Sequence, residues 1–218
     1  MFNSKYSKVL TGILIAVIVG IVGTIGYFVY DLYVVKSKNS DAQDIVDQFS
    51  KSSIKREFSD DENTDVENPL DSINSLESSA ASGEKVYMEG YEVMGTIEIP
   101  KTNVEYPILS EVTKKSLETS VAILYGVGLN QPGNTTIVGH NYRNGLFFSD
   151  NKKLSKGDTI KITDQTGTTV TYEIYDMYET SPSDASYMQR DTEGRREISL
   201  STCTDDSSQR LIILATEK

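Results

Sequence analysis

The sequence predicts an all-β domain, a small barrel or sandwich, behind an N-terminal membrane-spanning helix. The β prediction rests on short alternating runs separated by turn residues, which begin at about Tyr91. The helix prediction rests on an uncharged apolar run near the N-terminus, and an acidic, serine-rich segment separates the two. The predicted order is a tail, a transmembrane helix, an acidic flexible stalk and the folded domain, at residues 1–8, 9–30, 31–90 and 91–218.

The apolar run extends from Val9 to Tyr30, about 22 residues that would measure about 33 Å as a helix, enough for the roughly 30 Å core of a bilayer. A cleaved secretory signal would have a shorter apolar region followed by small residues. This run instead ends in Tyr27-Phe28-Val29-Tyr30, whose aromatic rings suit the membrane interface. We therefore expect a retained helix, with the tail that carries Lys5 and Lys8 in the cytoplasm and the remainder exported.

The acidic segment, from about Ser40 to Gly90, has 13 Asp or Glu and 4 Lys or Arg, a net charge of −9 out of −11 for the whole chain. A segment of low hydrophobicity and high charge cannot bury enough surface to offset the entropy of ordering. We expect a solvated spacer, and an acidic ligand-binding tail is the alternative. The pattern also allows a short helix at Asp41–Ser50, where Ile45, Val46 and Phe49 share a face.

The folded domain contains short runs in which apolar and polar residues alternate, and one stretch near Lys114–Ser120 that predicts a helix. The runs predicted as strands are 93–99, 104–109, 135–138, 159–163, 170–177, 197–202 and 211–215. Seven or eight short strands with one or two helices in about 128 residues are typical of a small barrel or sandwich.

The composition excludes several classes of function. Because the chain carries a net charge of −11, we expect no nucleic-acid partner, since its phosphates would be repelled. One cysteine rules out an internal disulfide and any metal site built from several cysteines, and one histidine argues against a His-rich metal site. We therefore expect no metal and no cofactor.

Three residues could carry chemistry: His140, the only histidine, Cys203, the only cysteine, and Arg210. An isolated cysteine is usually a small buried hydrophobe, an isolated histidine usually satisfies a local hydrogen bond, and an isolated arginine is usually a solvated charge. The positions of these three favour another interpretation. Cys203 closes the run 197–202 and opens a polar turn, and His140 ends a run and leads into a polar loop, where catalytic groups are usually found.

A cysteine and a histidine together can perform nucleophilic catalysis, because the thiolate attacks and the imidazolium protonates the leaving group. With ordinary pKa values of about 8.5 and 6.5, an uncoupled pair holds the charged form about one time in a hundred. The site must therefore shift these values or work from a minor population, and the sequence leaves both open. Arg210, always charged and with five donors, suits an oxyanion or the carbonyls of a substrate.

Taken in order, these motifs resemble the sortase family. The similarity is carried by residues 95–100 (Gly-Thr-Ile-Glu-Ile-Pro), 132–134 (Pro-Gly-Asn), 138–141 (Val-Gly-His-Asn), 156–158 (Lys-Gly-Asp), 200–203 (Leu-Ser-Thr-Cys) and 210–213 (Arg-Leu-Ile-Ile). Each stretch alone is common, but all of them in this order behind a membrane helix make a specific match. The match covers about Tyr91 to Lys218.

The resemblance implies an eight-stranded β-barrel with one or two short helices, which acts as a membrane-anchored cysteine transpeptidase on the outer face of a Gram-positive cell. Sortases cut a signal of the Leu-Pro-x-Thr-Gly type near the C-terminus of a secreted protein. They form a thioacyl-enzyme at the Thr carbonyl and pass the acyl group to an amine of a peptidoglycan precursor or to a pilin lysine. The implied partners are therefore these secreted proteins, the amine acceptor and the lipid around the helix.

Carried over by position, the resemblance implies that Cys203 is the nucleophile, His140 the general acid and base, and Arg210 the group that positions the substrate and stabilises the oxyanion. The segment Tyr178–Arg190 falls where the family has its specificity loop. The residues from which we expect substrate contacts are Asn141, Ser181, Asp184, Leu200 and Thr202.

Differences from other members bear on the subclass. Pilin-polymerising members usually carry an Asp-Pro-aromatic lid, whereas the stalk has Asn68-Pro69-Leu70, and class B members usually have a longer insert than Tyr178–Arg196. These differences favour a class A, D or E-like member. Calcium, which some members bind, needs a carboxylate cluster that the sequence does not assemble. The alternatives are a membrane-tethered cysteine peptidase that releases its product to water and a non-catalytic domain that binds cell-wall peptides.

Overall fold

The computed structural model describes residues 4–59 and 85–218, and the chain divides into two compact units, residues 1–39 and residues 40–218. The helix α1, Ser4–Ser59, begins in the first unit and ends in the second. In the first unit the apolar side chains of this helix, such as Leu10, Ile18 and Phe28, are largely exposed. Among the described residues, α1 is the one helix long and apolar enough to cross a membrane, which is compatible with an anchor.

The described part of the second unit contains nine strands, a short α-helix α2, Lys114–Thr119, which the sequence predicted, and 3-10 turns at Pro100–Thr102 and Asn151–Lys153. The strands are β1 Tyr87–Met88, β2 Tyr91–Ile99, β3 Val104–Leu109, β4 Val121–Gly126, β5 Gly133–Val138, β6 Thr159–Asp164, β7 Thr169–Thr180, β8 Arg196–Cys203 and β9 Arg210–Glu217. Strand β4 was not among the predicted runs. Its second half, Leu124–Gly126, is not buried, so it lacks the alternation that marks the other strands.

The sheet closes into a barrel. Its strand order is β1-β2-β3-β4-β5-β8-β9-β7-β6, and β2 also pairs with β6, so strands β2 to β9 form a ring of eight and β1 is a short extension. At the seam, Gly95 pairs with Asp164, and a Cβ on Gly95 would lie 2.4 Å from the Thr163 carbonyl oxygen. The predicted eight-stranded barrel is confirmed.

Alternation along the strands places the core inside the barrel. Every second residue of β2 from Val93 to Ile99 is fully buried, as are Ile160 and Ile162 of β6 and Ile198 and Leu200 of β8. This is the pattern expected of a barrel whose interior is filled by side chains.

The stretch of α1 from Ala42 to Phe49 packs on the barrel. Ala42, Val46 and Phe49, spaced by four and three residues, are buried, and Phe49 is only 1% exposed. Phe49 lies in a cluster with Val86, Met88, Val93, Leu109 and Ala122. The helix that the sequence allowed at Asp41–Ser50 is thus present.

The sequence assigned residues 31–90 to a flexible stalk, and the structure differs in part of that range. Residues 31–59 are helical, and residues 42–49 belong to the folded unit because their apolar stripe is buried there. The rest of the predicted stalk up to residue 84 lies outside the described residues.

Candidate active site

The parallel strands β5 and β8 bring His140 and Cys203 to the same edge of the barrel. Val138 pairs with Ser201, and the two candidate residues each follow two positions later. The pairing continues past β5, since the Gly139 amide donates to the Ser201 carbonyl (3.3 Å) and the Thr202 hydroxyl donates to the Gly139 carbonyl (2.8 Å). Neighbouring strands lie about 4.8 Å apart, so the register places the backbone of His140 next to the backbone of Cys203 at this edge.

Glycine is required directly before His140. A Cβ on Gly139 would lie 2.8 Å from a methyl carbon of Val121 and 2.9 Å from the ring of Phe148, closer than real Cβ contacts. The amide of Phe148 also donates to the His140 carbonyl (3.1 Å). The chain is therefore held tightly against the core where it delivers the histidine.

Arg210 lies beside the thiol. It begins β9 directly opposite Cys203, and its Nη1 donates a hydrogen bond to the Cys203 Sγ at 3.1 Å. Cys203 and Arg210 are both partly exposed residues. A guanidinium in this place can stabilise negative charge on the sulfur or on an oxygen bound next to it.

The ring of His140 packs against the ring of Tyr142, with 4.9 Å between the ring centroids. Burial lowers the pKa of His140 below its ordinary value of 6.5, and the negative charge of Glu118, on α2, opposes this shift. Lowering the pKa favours the neutral imidazole, which can accept a proton.

Hydrogen bonds and an ion pair connect the loop after Cys203 to the loop after His140. Asn141 donates from its Nδ2 both to the Cys203 carbonyl and to an Asp205 carboxylate oxygen, at 3.0 Å each, and Lys152 forms an ion pair with the same carboxylate. Hydrogen bonds from Lys152 and Asn141 hold the pKa of Asp205 below its usual value. Sequence reasoning missed Lys152 and Asp205, because they lie 53 residues apart in the chain.

A cavity of about 290 Å³ lies next to these two connected loops. The residues that line it are Asn141, Phe148, Ser149, Lys152, Glu179, Thr202, Cys203, Thr204, Asp205, Asp206, Gln209 and Leu211. Cys203 therefore borders a concave surface.

The expected substrate-contact residues fall into two groups. Asn141 connects the two loops next to the cavity. Ser181 and Asp184 lie just after β7, where the Thr180 hydroxyl donates to Asp184 (2.7 Å). Leu200 is completely buried and offers a substrate no surface, whereas Thr202 is 4% exposed and lines the cavity. In the described parts of the chain, no three His, Cys, Asp or Glu side chains are grouped to hold a metal ion.

Comparison with known proteins gives consistent matches. A family model described as the Sortase domain matches residues 97–218. The chain is 28% identical over 205 residues to sortase A of Bacillus anthracis, covering 92% of this chain and 91% of that protein.

Solved structures with the same fold include a Clostridium perfringens sortase D5 transpeptidase, at 25% identity and a TM-score of 0.59, covering 82% of this chain and 99% of that one. Another is sortase C1 of Streptococcus agalactiae, at 28% identity and a TM-score of 0.53, covering 58% of this chain and 67% of that one.

Proposed function

The chain belongs to the sortase family of cysteine transpeptidases, and on that premise we propose that it cleaves a Leu-Pro-x-Thr-Gly-like sorting signal and transfers the acyl group to an amine. The observation that carries the proposal is the contact of Arg210 with the Cys203 sulfur at the edge where His140 also emerges. The proposed substrates are secreted proteins with a C-terminal sorting signal. The proposed acceptor is an amine of a peptidoglycan precursor or a pilin.

In the first half-reaction the Cys203 thiolate attacks the Thr carbonyl carbon, and the negative charge moves to the carbonyl oxygen. The guanidinium of Arg210, which lies beside the sulfur, stabilises that oxyanion. The C–N bond then breaks, the His140 imidazolium gives its proton to the departing amine, and a thioester with a neutral imidazole remains.

In the second half-reaction the incoming amine attacks the thioester carbonyl and gives its surplus proton to the neutral His140. The C–S bond breaks, and the thiolate–imidazolium pair is regenerated. Because burial lowers the pKa of His140, the neutral imidazole predominates at neutral pH in the resting site.

We propose that α1 anchors the enzyme, with residues 1–8 in the cytoplasm, residues 9–30 in the membrane and the barrel outside the cell. The exposed apolar side chains of α1 and the lysines at positions 5 and 8 support this orientation. The similar proteins include sortases A, C1 and D5, so the proposal of a class A, D or E-like member rests on the sequence differences given above, and no cofactor is proposed.

The test uses the full-length chain in detergent with a panel of fluorogenic pentapeptides varied at the first and third positions of the signal. Products are analysed by mass spectrometry with and without an added glycine-peptide amine. We expect the amine to accelerate turnover and to appear in the product, and Cys203→Ala to be inactive with an unchanged melting temperature.

Two outcomes would contradict the proposal. A product that stays purely hydrolytic at saturating amine would indicate a peptidase. No cleavage, together with a Cys203 that resists alkylation in the folded protein, would indicate a non-catalytic peptide-binding domain.

A further inference from the structure

Three neighbouring strands present one face of mixed polar and apolar residues outside the barrel core. Alternate residues of a strand point to the same side of a sheet, and the register aligns three such rows. The rows are Asn134, Thr136 and Val138 on β5, Glu197, Ser199, Ser201 and Cys203 on β8, and Arg210, Ile212 and Leu214 on β9. The proposed catalytic groups thus stand at one end of this face, and Asn134 and Glu197 stand at the other.

The segment between β7 and β8, residues 181–195, lies over the middle of this face. Tyr187 is only 4% exposed and packs with Ile212 and Leu214. Its carbonyl accepts hydrogen bonds from the Ser199 hydroxyl (3.0 Å) and from the Asn134 amide (3.1 Å). The segment therefore contacts the three strands that carry the site.

The segment also begins next to the site. It leaves β7 after Thr180, which pairs with Arg210, and Arg210 pairs with Cys203. Two strand spacings, about 10 Å, separate its start from the strand of the thiol. The segment thus forms a wall beside the proposed catalytic groups.

One side chain anchors this wall at the far end. Arg190, with a side chain 17% exposed, forms an ion pair with Glu197, whose side chain is 3% exposed. Its Nη2 donates to the Asn134 side-chain oxygen (2.8 Å) and the Ser199 hydroxyl (3.2 Å), and its Nε donates to the Tyr187 carbonyl (3.2 Å). Arg190 therefore joins the segment to β5 and to β8 at once.

A buried ion pair contributes little net stability, because the cost of removing both charges from water offsets their attraction. Several directional hydrogen bonds from one guanidinium instead fix the position of the backbone that carries it. We propose that Arg190 is a positioning residue of the transpeptidase: it fixes residues 181–195 as the wall against which the sorting-signal peptide lies before its scissile carbonyl meets Cys203. This inference rests on the proposed function.

The test compares Arg190→Met and the double variant Arg190→Met/Glu197→Gln with the wild type, in the full-length chain in detergent. Arg196→Met is the matched control, since Arg196 lies on the same strand as Glu197 but forms a partly exposed ion pair with Glu217. Hydrogen exchange of residues 181–195 without substrate, peptide kinetics and melting temperatures are measured for each.

We expect both Arg190 variants to exchange faster in residues 181–195 and to show about a tenfold higher KM for the peptide, because hydrogen bonds to a charged group are lost. The value of kcat should stay close to that of the wild type. The single variant should melt about 5 °C lower, because the buried Glu197 loses one charged partner and keeps only Arg195 and the Tyr175 hydroxyl, and the double variant should regain most of that loss.

The proposal is overturned if exchange in residues 181–195 is unchanged, if kcat falls in place of a rise in KM, or if KM returns to normal together with the melting temperature in the double variant. If Arg190→Met does not fold, the double variant carries the same comparison, because it removes the buried carboxylate together with the guanidinium. The exchange measurement needs no substrate, so it separates a failure of this inference from a failure of the proposed function.

Discussion

Replacement of Arg210 gives the most direct test of how the site works. Its guanidinium donates to the Cys203 Sγ at 3.1 Å and to the Gln209 carbonyl at 3.4 Å, and the side chain is partly exposed. Arg210→Ala therefore removes a cation from beside the proposed nucleophile and leaves no cavity in the core. We expect a loss of activity with an unchanged fold.

The size of the loss follows from the charge that develops on the carbonyl oxygen. Removing one oxyanion donor typically costs about 3 kcal/mol, which is about a 10²- to 10³-fold fall in kcat. KM for the peptide should change much less, because the contact strengthens only in the transition state. Arg210→Lys should restore little of the rate, since an ammonium cannot reproduce the fork of donors.

The assay is steady-state cleavage of the best fluorogenic peptide by the full-length chain, with the melting temperature as the control for folding. A kcat of Arg210→Ala close to that of the wild type would remove Arg210 from the mechanism. A large fall in melting temperature would show instead that the side chain supports the fold.

Three further predictions concern the fold and its pH dependence. Phe49→Ala should lower the free energy of unfolding in urea by about 3–5 kcal/mol, because the ring is buried. Phe28→Ala, in the exposed part of α1, should leave that free energy unchanged. Equal effects of the two variants would contradict this. Because burial depresses the pKa of His140, the unfolded chain binds the proton more tightly, so stability should fall as the pH drops below the ordinary value of 6.5. Between about pH 7.5 and pH 5 the melting temperature of His140→Gln should fall less than that of the wild type, and parallel curves would count against the argument. Gly95→Val should lower the urea midpoint of unfolding, because its Cβ would lie 2.4 Å from the Thr163 carbonyl oxygen where β2 pairs with β6. Overpacking of this kind costs about 1–3 kcal/mol. An unchanged midpoint would show that the strands can move apart at this position.

Local patterns were sufficient for most of the fold. The barrel could be predicted because its strands alternate between core and surface, and the ends of two such runs pointed to His140 and Cys203. The orientation of Leu200 was also within reach: it lies three residues before Cys203, so the two side chains must point to opposite faces of β8. That argument places Leu200 in the core, where the structure has it.

Other features depend on contacts that no local pattern specifies. The ion pair of Arg190 with Glu197 requires the path of the intervening turn, and the pairing of Lys152 with Asp205 joins two separate loops. The sequence did not predict that residues 42–49 of α1 pack on the barrel, because acidic residues surround them. The apolar face that it allowed there included Val46 and Phe49, which are buried in the structure. The partner of Lys152 is 53 residues away in the sequence, and that of Arg190 is only seven residues away but across a turn.

The matched parallel register of β5 and β8 has a consequence for how this protein can change in length. Inserting or deleting one residue in either strand would rotate the thiol or the imidazole by half a turn and point it into the barrel interior. Such an indel would abolish activity even though every side chain of the site is still encoded. Natural length variation and engineered insertions should therefore be confined to connections such as residues 204–209, which lie between the paired Cys203 and Arg210.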